Sequence, residues 1–440
     1  MIDYTLPLNE LPDPLPIKPL NRSFDVTITP PGSKSITNRA YVLAALAGGE
    51  SRIVRPLRSD DCDYLLNALA TLGAQAQWDG PDVVIQGVSG RFPRGGEVNL
   101  GDGGAPARFM IAAACLALEP VVVDGSERMR QRPVSELVDF LRQLGADVAY
   151  VQEDGHLPVR VSPSMLGGDD LEIGRTQSSQ FISALLQIAP CLPFPLKLWF
   201  EGETTSWPYV KMTLHVMKRW GIDSHEATHA DGRRSVYVYN RPIRGRVYEV
   251  EADASSATYW LAAGAIMPKS GVRIEGLPAA SAQGDLAFAA LLEKLGARRQ
   301  HGGANSVGVY YRKTLHGGDH DMSDMPDAAM TLAAAVAFAD SPSIITGLHT
   351  LRVKESDRVA ALASELTKIG CDVQTTDDAL GIDPSTRHEE PVVIETYNDH
   401  RMAMAFAILG LKRPNVSIAN PKCVSKSYPT FWQDFAKLYE

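Results

Sequence analysis

Two hydrophobic patterns recur along the chain with one shared period. In the first, an amphipathic stretch with apolar residues at i, i+3 and i+4 ends in glycine, as in "NALATLGA", "DFLRQLGA", "HVMKRWGI", "LLEKLGA" and "ELTKIGC". These glycines are Gly73, Gly145, Gly221, Gly296 and Gly370, and successive ones lie 72, 76, 75 and 74 residues apart. The pattern predicts outer helices that each end at a left-handed glycine. The stretch "FWQDFAKLYE" is expected to be a shortened sixth copy.

The second pattern is a helix that is apolar on nearly every side, and one precedes each outer helix. The six segments are "AYVLAALAG", "FMIAAACLAL", "FISALLQIA", "TYWLAAGAIM", "MTLAAAVAFA" and "MAMAFAILGL", each followed by a short β-like run such as "VVVDG" or "LKLWF". Helices of this kind are buried inside a domain. We therefore predict an α/β protein built from six repeats, three per domain, with the apolar helices beneath the strands and the outer helices.

The composition is consistent with two domains and excludes some partners. The chain has 440 residues, 45% of them hydrophobic, and a net charge of −9, which argues against nucleic-acid binding. The N-terminus lacks the apolar segment of a signal peptide, and the apolar runs are too short for a membrane span of ~20 residues. The five cysteines form no C-x-x-C pair, as is typical of free thiols in a reducing compartment. We expect a cytoplasmic protein with no membrane partner.

Polar or helix-starting residues precede every buried helix. They are Lys34-Ser35, Ala105-Pro106, Ser178-Ser179, Ser255-Ser256, Asp327-Ala328 and Asp399-His400. Helix N-termini offer N–H donors and the positive end of the dipole, so they attract anions. At Ser255 and Ser256 we expect helix capping alone.

Basic residues cluster at these positions and at the starts of the outer helices. They are Lys34, Arg39, Arg108, Arg130, Arg132, Arg352, Lys354, Arg358, Arg401 and Lys426. Their recurrence at equivalent places in the repeat indicates an anion site, where Arg binds carboxylate or phosphate in a bidentate manner.

Acidic residues lie among these cations. If "VKESDR" were helical, Lys354 and Arg358 would share a face with Glu355 beside them, although a plain helix-start charge cluster gives the same pattern. Asp327 is expected either to cap its helix or, near several cations, to act as a general acid or base. The spacing of His, Cys and acidic residues does not suggest a metal site.

The segment "PPGSKSITNRA" resembles part of a nucleotide-binding P-loop. That motif requires G-x-x-x-x-G-K-[ST], whereas Thr27 stands five positions before Gly32 and Ser33 precedes Lys34. We therefore expect this segment to bind another anion and not ATP.

Eight segments together resemble the 5-enolpyruvylshikimate-3-phosphate synthase family of enolpyruvyl transferases. They are "PPGSKSITNRA", "RMRQRP", "SSQFISALL", "EADASSATYWLAA", "MPDAAM", "LRVKESDR", "YNDHRMAMAFA" and "PKCVSKSYPTF", in family order between residues 30 and 431. The resemblance implies a two-domain inverse α/β barrel with βαβαββ repeats, helices inside and sheets outside. It implies a shikimate-3-phosphate-binding domain at 33–251, and a second domain at 1–32 plus 252–440 that carries much of the phosphoenolpyruvate site. The active site would lie in the cleft between the domains.

The resemblance also implies the reaction. The family transfers the enolpyruvyl group of phosphoenolpyruvate to the 5-hydroxyl of shikimate 3-phosphate and releases phosphate, a step in chorismate and aromatic amino acid biosynthesis. The reaction proceeds by addition and elimination through a tetrahedral intermediate, without metal or organic cofactor. The herbicide glyphosate targets this family, and a monomer is expected.

Residue roles follow from the matching motifs. As catalytic residues the resemblance implies Lys34, Asp327 and Glu355. For shikimate 3-phosphate it implies Lys34, Ser35, Arg39, Ser178, Ser179, Gln180, Ser206, Asp327 and Lys354. For phosphoenolpyruvate it implies Lys34, Gly104, Arg132, Gln180, Arg358, Arg401 and Lys426. Asp102, Arg108 and His400 are expected to line the site.

One loop departs from the family pattern. Where the family commonly has Leu-Gly-Asn-Ala-Gly-Thr, this chain reads "LGDGGA", with Asp102 for Asn and Ala105 for Thr; Phe109 follows Arg108 where many members have Pro. A negative charge at 102 should weaken binding of phosphoenolpyruvate and glyphosate unless Arg132 or another cation pairs with it.

Two alternatives to this function remain at the level of sequence. A UDP-N-acetylglucosamine enolpyruvyl transferase shares the fold but normally carries a catalytic Cys on a glycine-rich loop, whereas Cys115 lies within an apolar helix and Cys62 beside acidic residues. The set Ser178, Ser179 and Gln180 favours a shikimate ring and phosphate instead. The second alternative is a non-catalytic anion-binding homologue, which the change at Asp102 favours.

Overall fold

The chain divides into two compact units, one continuous in sequence and one split. The computed structural model describes residues 2–168, 170–174, 176–202 and 206–440. The continuous unit is Gly32–Val250, called here the inserted unit, and the split unit joins Met1–Pro31 to Glu251–Glu440. These limits lie one residue from the domain limits that the family resemblance implies.

The helices and strands are short. Within the described residues the helices are α1 (Lys34–Leu46), α2 (Asp60–Thr71), α3 (Gly104–Ala114), α4 (Glu127–Arg130), α5 (Ser135–Gln143), α6 (Ser179–Ile188), α7 (Trp207–Arg219), α8 (Ala254–Ile266), α9 (Phe288–Leu295), α10 (Ala329–Val336), α11 (Arg358–Lys368), α12 (His400–Gly410) and α13 (Phe431–Ala436). The strands are β1 (Leu15–Ile17), β2 (Asp25–Ile28), β3 (Gly48–Val54), β4 (Gln75–Asp79), β5 (Asp82–Val88), β6 (Gly96–Asn99), β7 (Val121–Asp124), β8 (Asp147–Tyr150), β9 (Val159–Ser162), β10 (Asp170–Ile173), β11 (Leu196–Phe200), β12 (Ser224–Thr228), β13 (Arg234–Val238), β14 (Val247–Glu249), β15 (Gly271–Glu275), β16 (Arg298–His301), β17 (Ser306–Tyr310), β18 (Asp319–Asp321), β19 (Ser343–Thr346), β20 (Asp372–Thr375), β21 (Ala379–Asp383), β22 (Val392–Ile394) and β23 (Val416–Ile418).

Each repeat forms its own small sheet. In the second repeat β6 pairs with β7 in parallel, and β7 is followed across the sheet by the antiparallel strands β9 and β8. Parallel strands need a crossover connection, which α3 supplies, whereas β8 and β9 form a hairpin. The sheets β10-β11-β13-β12, β14-β3-β5-β4, β2-β15-β17-β16 and β18-β19-β21-β20 have the same order. The predicted βαβαββ arrangement is confirmed in these five sheets, two of which take their parallel edge strand, β14 or β2, from a distant part of the chain.

The helix that precedes the second strand of each repeat is buried. Every residue of α12 is buried, as are all but Lys34 and Ser35 of α1. The corresponding helices α3, α6, α8 and α10 are also buried along nearly their whole length. Each unit has its own hydrophobic core around three such helices. Helices inside and sheets outside, as the hydrophobic pattern predicts, are therefore confirmed.

The outer helices end at the predicted glycines. Gly73, Gly145, Gly221, Gly296 and Gly370 all have positive φ, between 73° and 120°. The backbone of a residue with a Cβ is strained in this conformation. At Gly370 the surroundings add a second constraint, because a Cβ there would lie 2.7 Å from the carbonyl oxygen of Thr386.

The N-terminal segment completes the sixth sheet. Strand β22 pairs with β23 in parallel, and β1 pairs with β23 antiparallel, in the place that the last hairpin strand takes in the other sheets. On the outer edge of β1, the Tyr4 hydroxyl donates to the carbonyl oxygen of Pro16 at 3.1 Å and accepts from the backbone N–H of Lys18 at 2.8 Å. A side chain thus satisfies backbone groups on this edge.

The helix N-termini correct two expectations. At α8 the cap is Asp253, whose carboxylate accepts from the backbone N–H of Ser256, and not Ser255 or Ser256. Asp and Ser are both good N-cap residues, and here the cap is Asp253, two positions before Ser255. The α11 helix begins at Arg358 with Asp357 as its cap, so Lys354 and Glu355 precede the helix and do not share a face with Arg358.

No helix within the described residues is long and apolar enough to cross a bilayer.

Candidate active site

In the split unit, Asp327 lies at the centre of a cluster of cations. It sits in a single 3-10 turn, Pro326–Ala328, just before α10. Its carboxylate is 2.9 Å from Nη2 of Arg401, 3.0 Å from Nη1 of Arg358 and 3.7 Å from Nζ of Lys354. Lys354 and Arg358 come from the segment around the start of α11, and Arg401 comes from the start of α12. Of the two roles expected for Asp327, the second required several neighbouring cations, and three lie within 3.7 Å of its carboxylate.

A second carboxylate, Glu355, extends this cluster. Its side chain is 12% exposed and lies 2.8 Å from Nη2 of Arg358 and 3.7 Å from Nζ of Lys426. Arg358, which is 1% exposed, also binds Asp399 through its Nε at 2.7 Å. Asp399 caps α12, because it accepts from the backbone N–H of Arg401. The ion pairs thus connect the start of α11 to the start of α12.

The split-unit cluster therefore contains every charged residue that the motifs imply for this unit. It comprises Asp327, Lys354, Glu355, Arg358, Asp399, Arg401 and Lys426. Four cations face three carboxylates, which leaves one positive charge in excess. His400 is buried at the start of α12, with Nδ1 3.7 Å from Asp399. Buried cations of this kind are stable only when paired, so an anionic ligand would compete with the carboxylates for them.

The charges in the cluster shift the ionisation of its members. Burial alone would raise the pKa of Asp327, but the positive charges of Arg401, Lys354 and Arg358 outweigh it and hold this pKa well below its ordinary value. Burial alone would lower the pKa of Arg358, but the carboxylates of Asp399, Glu355 and Asp327 raise it instead. Asp327 is therefore fully ionised in this arrangement.

In the inserted unit, Lys34 is held by a carboxylate that the sequence motifs do not indicate. The Nζ atom of Lys34, at the start of α1, lies 3.1 Å from Oδ2 of Asp61 near the start of α2. The two side chains are 17% and 4% exposed. The amine is thus positioned by α2 and still reaches solvent.

Arg39 lies one turn further along α1 and is buried, with 2% of its surface exposed. Its guanidinium donates to Thr213 Oγ1 at 2.7 Å, to Ser183 Oγ at 3.1 Å and to the carbonyl oxygen of Ser35 at 2.8 Å. It also lies 5.4 Å from the ring centroid of Phe109. Burial lowers the pKa of Arg39 to about 10. These hydrogen bonds go to neutral groups, so none of these partners balances the positive charge of Arg39.

The glycine-rich loop before α3 lies against two arginines. A Cβ at Gly104 would be 2.6 Å from Nη2 of Arg132, so only glycine fits there without displacing the guanidinium. Arg108 donates to the Gly104 carbonyl oxygen at 3.1 Å and to Oε1 of Gln180 at 3.2 Å. Arg108 also lies over the ring of Phe181. The starts of α3 and α6 are thereby connected.

The departing residue Asp102 lies beside this loop. It accepts a hydrogen bond from Ser126 Oγ, and Ser126 is also the N-cap of α4, where it accepts from the backbone N–H of Met129. The side chain is therefore engaged by a hydroxyl at the start of α4.

The remaining predicted residues of this unit are serines at helix starts. Ser178 is the N-cap of α6 and accepts from the backbone N–H of Gln180, and Ser179 is the first helical residue. Ser206 is the N-cap of α7 and has φ = 51°. The carbonyl oxygen of Ser206 accepts a hydrogen bond from the backbone N–H of Tyr209 at 3.1 Å. The carbonyl oxygen of Tyr209 in turn accepts one from the Arg39 guanidinium at 3.3 Å.

Sequence reasoning missed Asp61 and the ion-pairing role of Asp399. Both belong to runs of polar residues at a helix start, where an acid is usually explained by the helix dipole or by capping. Only the packing of α2 against α1, and the ion pair that joins the start of α11 to the residue before α12, reveal their ionic partners. No group of three or more His, Cys, Asp or Glu side chains in the described part of the chain is arranged to hold a metal ion.

The fold is that of the enolpyruvyl transferases. The EPSP synthase from Acinetobacter baumannii superposes with a TM-score of 0.77 at 24% identity, covering 95% of this chain and 96% of that one. The enolpyruvyl transferase NikO from Streptomyces tendae superposes with a TM-score of 0.75 at 18% identity, covering 96% of each chain.

The sequence comparisons are more specific. The family model for EPSP synthase (3-phosphoshikimate 1-carboxyvinyltransferase) matches residues 21–435. The 3-phosphoshikimate 1-carboxyvinyltransferase of Serratia proteamaculans is 41% identical over 421 residues, which is 94% of this chain and 96% of that protein. That of Mannheimia succiniciproducens is 40% identical over 426 residues, again 94% of this chain and 96% of that protein. The chain belongs to the EPSP synthase family, and the resemblance seen in the motifs is confirmed.

Proposed function

We propose that this chain transfers the enolpyruvyl group of phosphoenolpyruvate to the 5-hydroxyl of shikimate 3-phosphate and releases phosphate. The split-unit cluster carries this proposal, because its excess of buried cations around two carboxylates suits an anionic substrate that undergoes proton transfer. Family membership supplies the identity of the substrates. This reaction would make the chain an enzyme of the shikimate pathway.

Phosphoenolpyruvate carries a phosphate and a carboxylate, and both need cationic partners. In our proposal Arg358, Arg401 and Lys426 of the split unit hold these groups. Two arginines can bind oxyanions in a bidentate manner, and the lysine adds a point charge. From the inserted unit we assign Lys34, Arg132, Gln180 and the backbone of Gly104 to the same substrate. The absence of a Cβ at Gly104 supports this role, because it lets the backbone lie directly against the Arg132 guanidinium.

Shikimate 3-phosphate is an anion with several hydroxyl groups. We assign its binding to Lys34, Ser35, Arg39, Ser178, Ser179, Gln180 and Ser206, together with Asp327 and Lys354. The buried charge of Arg39 supports this assignment, because its recorded hydrogen bonds go to neutral groups and leave the charge to be balanced by a ligand. His400, Arg108 and Asp102 line the site in this proposal.

Asp327 accepts the proton of the attacking hydroxyl. In the cluster as it stands its carboxylate is a weak base, since three cations lower its pKa. Binding of substrate anions to Arg401 and Arg358 neutralises part of that positive charge, so the pKa of Asp327 rises. The base thus becomes effective when the substrate is present.

Glu355 delivers and removes the proton at C3. As the hydroxyl oxygen bonds to C2 of phosphoenolpyruvate, C3 takes a proton and a tetrahedral intermediate forms. When phosphate leaves C2, C3 loses a proton and the enol double bond returns. Lys426 and Arg358 lie within 3.7 Å of Glu355, which makes them suited to stabilise its ionised form during this cycle. Lys34 assists proton transfer and contacts both substrates.

We also propose that the chain acts as a monomer in the cytoplasm. Its five cysteines are free thiols, four of them buried, which is typical of a reducing compartment. Sedimentation equilibrium tests the oligomeric state, and a dimer at micromolar concentration would contradict it.

The decisive experiment is a phosphate-release assay with paired substrates. We expect release with phosphoenolpyruvate plus shikimate 3-phosphate, and none when UDP-N-acetylglucosamine replaces the latter. Release only with the UDP-sugar would identify the other transferase activity. Tight binding of both anions without release would identify a non-catalytic homologue.

A further inference from the structure

A buried carboxylate outside the predicted site contacts the start of α8 in the split unit. Asp285 is 5% exposed and precedes α9 in a short 3-10 turn. Its Oδ2 accepts a hydrogen bond from Ser255 Oγ at the start of α8. Its Oδ1 is buried and has no hydrogen-bond partner within the described residues. A buried carboxylate with one oxygen unsatisfied is costly in its charged form.

The repeat offers a direct comparison for Asp285. In the first repeat of the inserted unit, Asp61 lies twelve residues before Gly73 and pairs with Lys34, the residue after the α1 cap. In the first repeat of the split unit, Asp285 lies eleven residues before Gly296 and contacts the start of α8. Position 254, the residue after that cap, is Ala. Asp285 therefore meets a neutral hydroxyl where its counterpart meets an ammonium group.

The charged groups around Asp285 come from three elements. Asp253 caps α8, and its carboxylate is engaged with the backbone N–H of Ser256. Asp327 lies before α10, and Arg401 belongs to α12. Burial, and after it the negative charge of Asp327, raise the pKa of Asp285 to about 7, although the Ser255 hydrogen bond and Arg401 act in the opposite direction.

We propose that Asp285 is a positioning residue of the split-unit cluster whose buried carboxyl group gains or loses a proton as the pH changes, which changes the field at Arg401. The basis is its burial, its hydroxyl partner and its unsatisfied oxygen. When Asp285 is neutral, an incoming anion at Arg401 is opposed by the carboxylate of Asp327, which pairs with that arginine. When Asp285 is ionised, a second negative charge opposes it. The consequence for phosphoenolpyruvate rests on the proposed function, in which Arg401 holds this substrate.

The test compares wild-type protein with Asp285→Asn across pH 6 to 8.5. Isothermal titration calorimetry gives the dissociation constant of phosphoenolpyruvate for each protein. The second ionisation of the phosphate group of phosphoenolpyruvate affects its binding to both proteins equally. The ratio of the two dissociation constants therefore reports the effect of Asp285 alone. We expect the wild-type constant to rise relative to the variant constant by about threefold to tenfold over this range, as a coupling of up to one pKa unit produces. A ratio that stays constant with pH would overturn the proposal.

Two further variants separate this role from a merely structural one. Glu293→Gln removes an exposed carboxylate on α9 that pairs with Arg299 of β16. The ratio of the wild-type dissociation constant to that of this variant should not vary with pH. Ser255→Ala removes the hydroxyl donor to the ionised form of Asp285, so the pH-dependent change should move to higher pH. A shift to lower pH would contradict the assignment, and this variant serves even if Asp285→Asn does not fold.

The proposed function is tested separately by phosphate release. If wild-type protein shows the pH-dependent binding ratio but releases no phosphate with both substrates, the function fails and the role of Asp285 stands. If it releases phosphate and the binding ratio does not vary with pH, the role of Asp285 fails and the function stands.

Discussion

At the scale of single residues, the two carboxylates to which we assign proton transfer differ in the cations around them. Asp327 meets three cations within 3.7 Å, whereas Glu355 meets Arg358 and, more distantly, Lys426. A carboxylate held by three cations is a weak base until an anion arrives.

The first prediction concerns Glu355. Glu355→Gln keeps the shape of the side chain but removes its acid–base function, so phosphate release should fall by at least about 100-fold. Binding of shikimate 3-phosphate, measured by calorimetry, should change little. Glu390→Gln, at an exposed position of the same unit, should have nearly normal turnover. Near-normal turnover of Glu355→Gln would refute its proposed role.

The second prediction concerns Phe109, which replaces the proline of many family members. Its ring faces the buried guanidinium of Arg39, and such a contact is worth about 2 kcal/mol when desolvated. Phe109→Leu should raise the KM for shikimate 3-phosphate by about fivefold or more, with a smaller change for phosphoenolpyruvate. Phe92→Leu makes the same size change at an equally buried position of the unit. Equal KM changes in both variants would argue against a specific contact.

The third prediction concerns Asp102. Asp102→Asn removes a negative charge beside an anion site, so the KM for phosphoenolpyruvate and the inhibition constant of glyphosate should both fall. Steady-state kinetics with glyphosate as competitor measures both constants. Ordinary values for the wild-type protein that do not change in the variant would contradict this hypothesis.

Sequence motifs singled out most charged residues of the split-unit cluster but not their pairing. Asp327, Arg358 and Arg401 lie in separate segments, and their contacts depend on how the starts of three helices pack. Asp61 and Asp285 were not recognisable, since an acid at the start of an outer helix is ordinarily explained by the helix dipole.

At the scale of elements, the glycine that ends each outer helix has two separable functions. One is conformational, because φ is positive, and the other is steric where the chain packs closely. Gly303, in the loop between β16 and β17, serves as a comparison for Gly370: their φ values are 95° and 87°, but a Cβ at Gly303 would have no atom within 4 Å.

The fourth prediction uses this pair. Gly303→Ala should lower the free energy of unfolding by about 1–2 kcal/mol through backbone strain alone. Gly370→Ala should lower it by about 1–3 kcal/mol more, since its Cβ would lie 2.7 Å from Thr386 O and His388 Cδ2. Urea denaturation measures both. Equal losses would show that the close approach is relieved without cost.

The elements themselves were largely predictable from hydrophobic periodicity. All six buried helices and the five glycine-ended helices lie where the pattern placed them. The pairing of β1 with β23 was not predictable, because it joins Leu15 to Ile418 and no local pattern records so distant a partner. The cap of α8 was misassigned for a different reason: adjacent Asp and Ser residues compete for that role.

At the scale of the whole molecule, buried carboxylates set how stability depends on pH. The pKa of Asp327 is lowered in the folded state, so its contribution is present above the ordinary value of 3.8 and is lost as pH falls below it. The pKa of Asp285 is raised to about 7, so its contribution is present below 3.8 and is lost as pH rises through 7. The two act at opposite ends of the pH range.

The fifth prediction follows from the second of these carboxylates. Between pH 5 and pH 8 the free energy of unfolding of the wild-type protein should fall by about 2–3 kcal/mol relative to Asp285→Asn, because each pKa unit corresponds to about 1.4 kcal/mol. Urea denaturation at both pH values measures the difference. Glu293→Gln should show no such trend. A difference between wild type and Asp285→Asn that is the same at both pH values would contradict the prediction.

The division into an inserted and a split unit has a consequence for synthesis. Residues Gly32–Val250 contain a complete core, and a ribosome finishes them before the second part of the split unit exists. Strands β1 and β2, made first, must wait for partners in β23 and β15. The two units therefore differ in when they can begin to fold: one folds during translation, and the other only after most of the polypeptide has emerged.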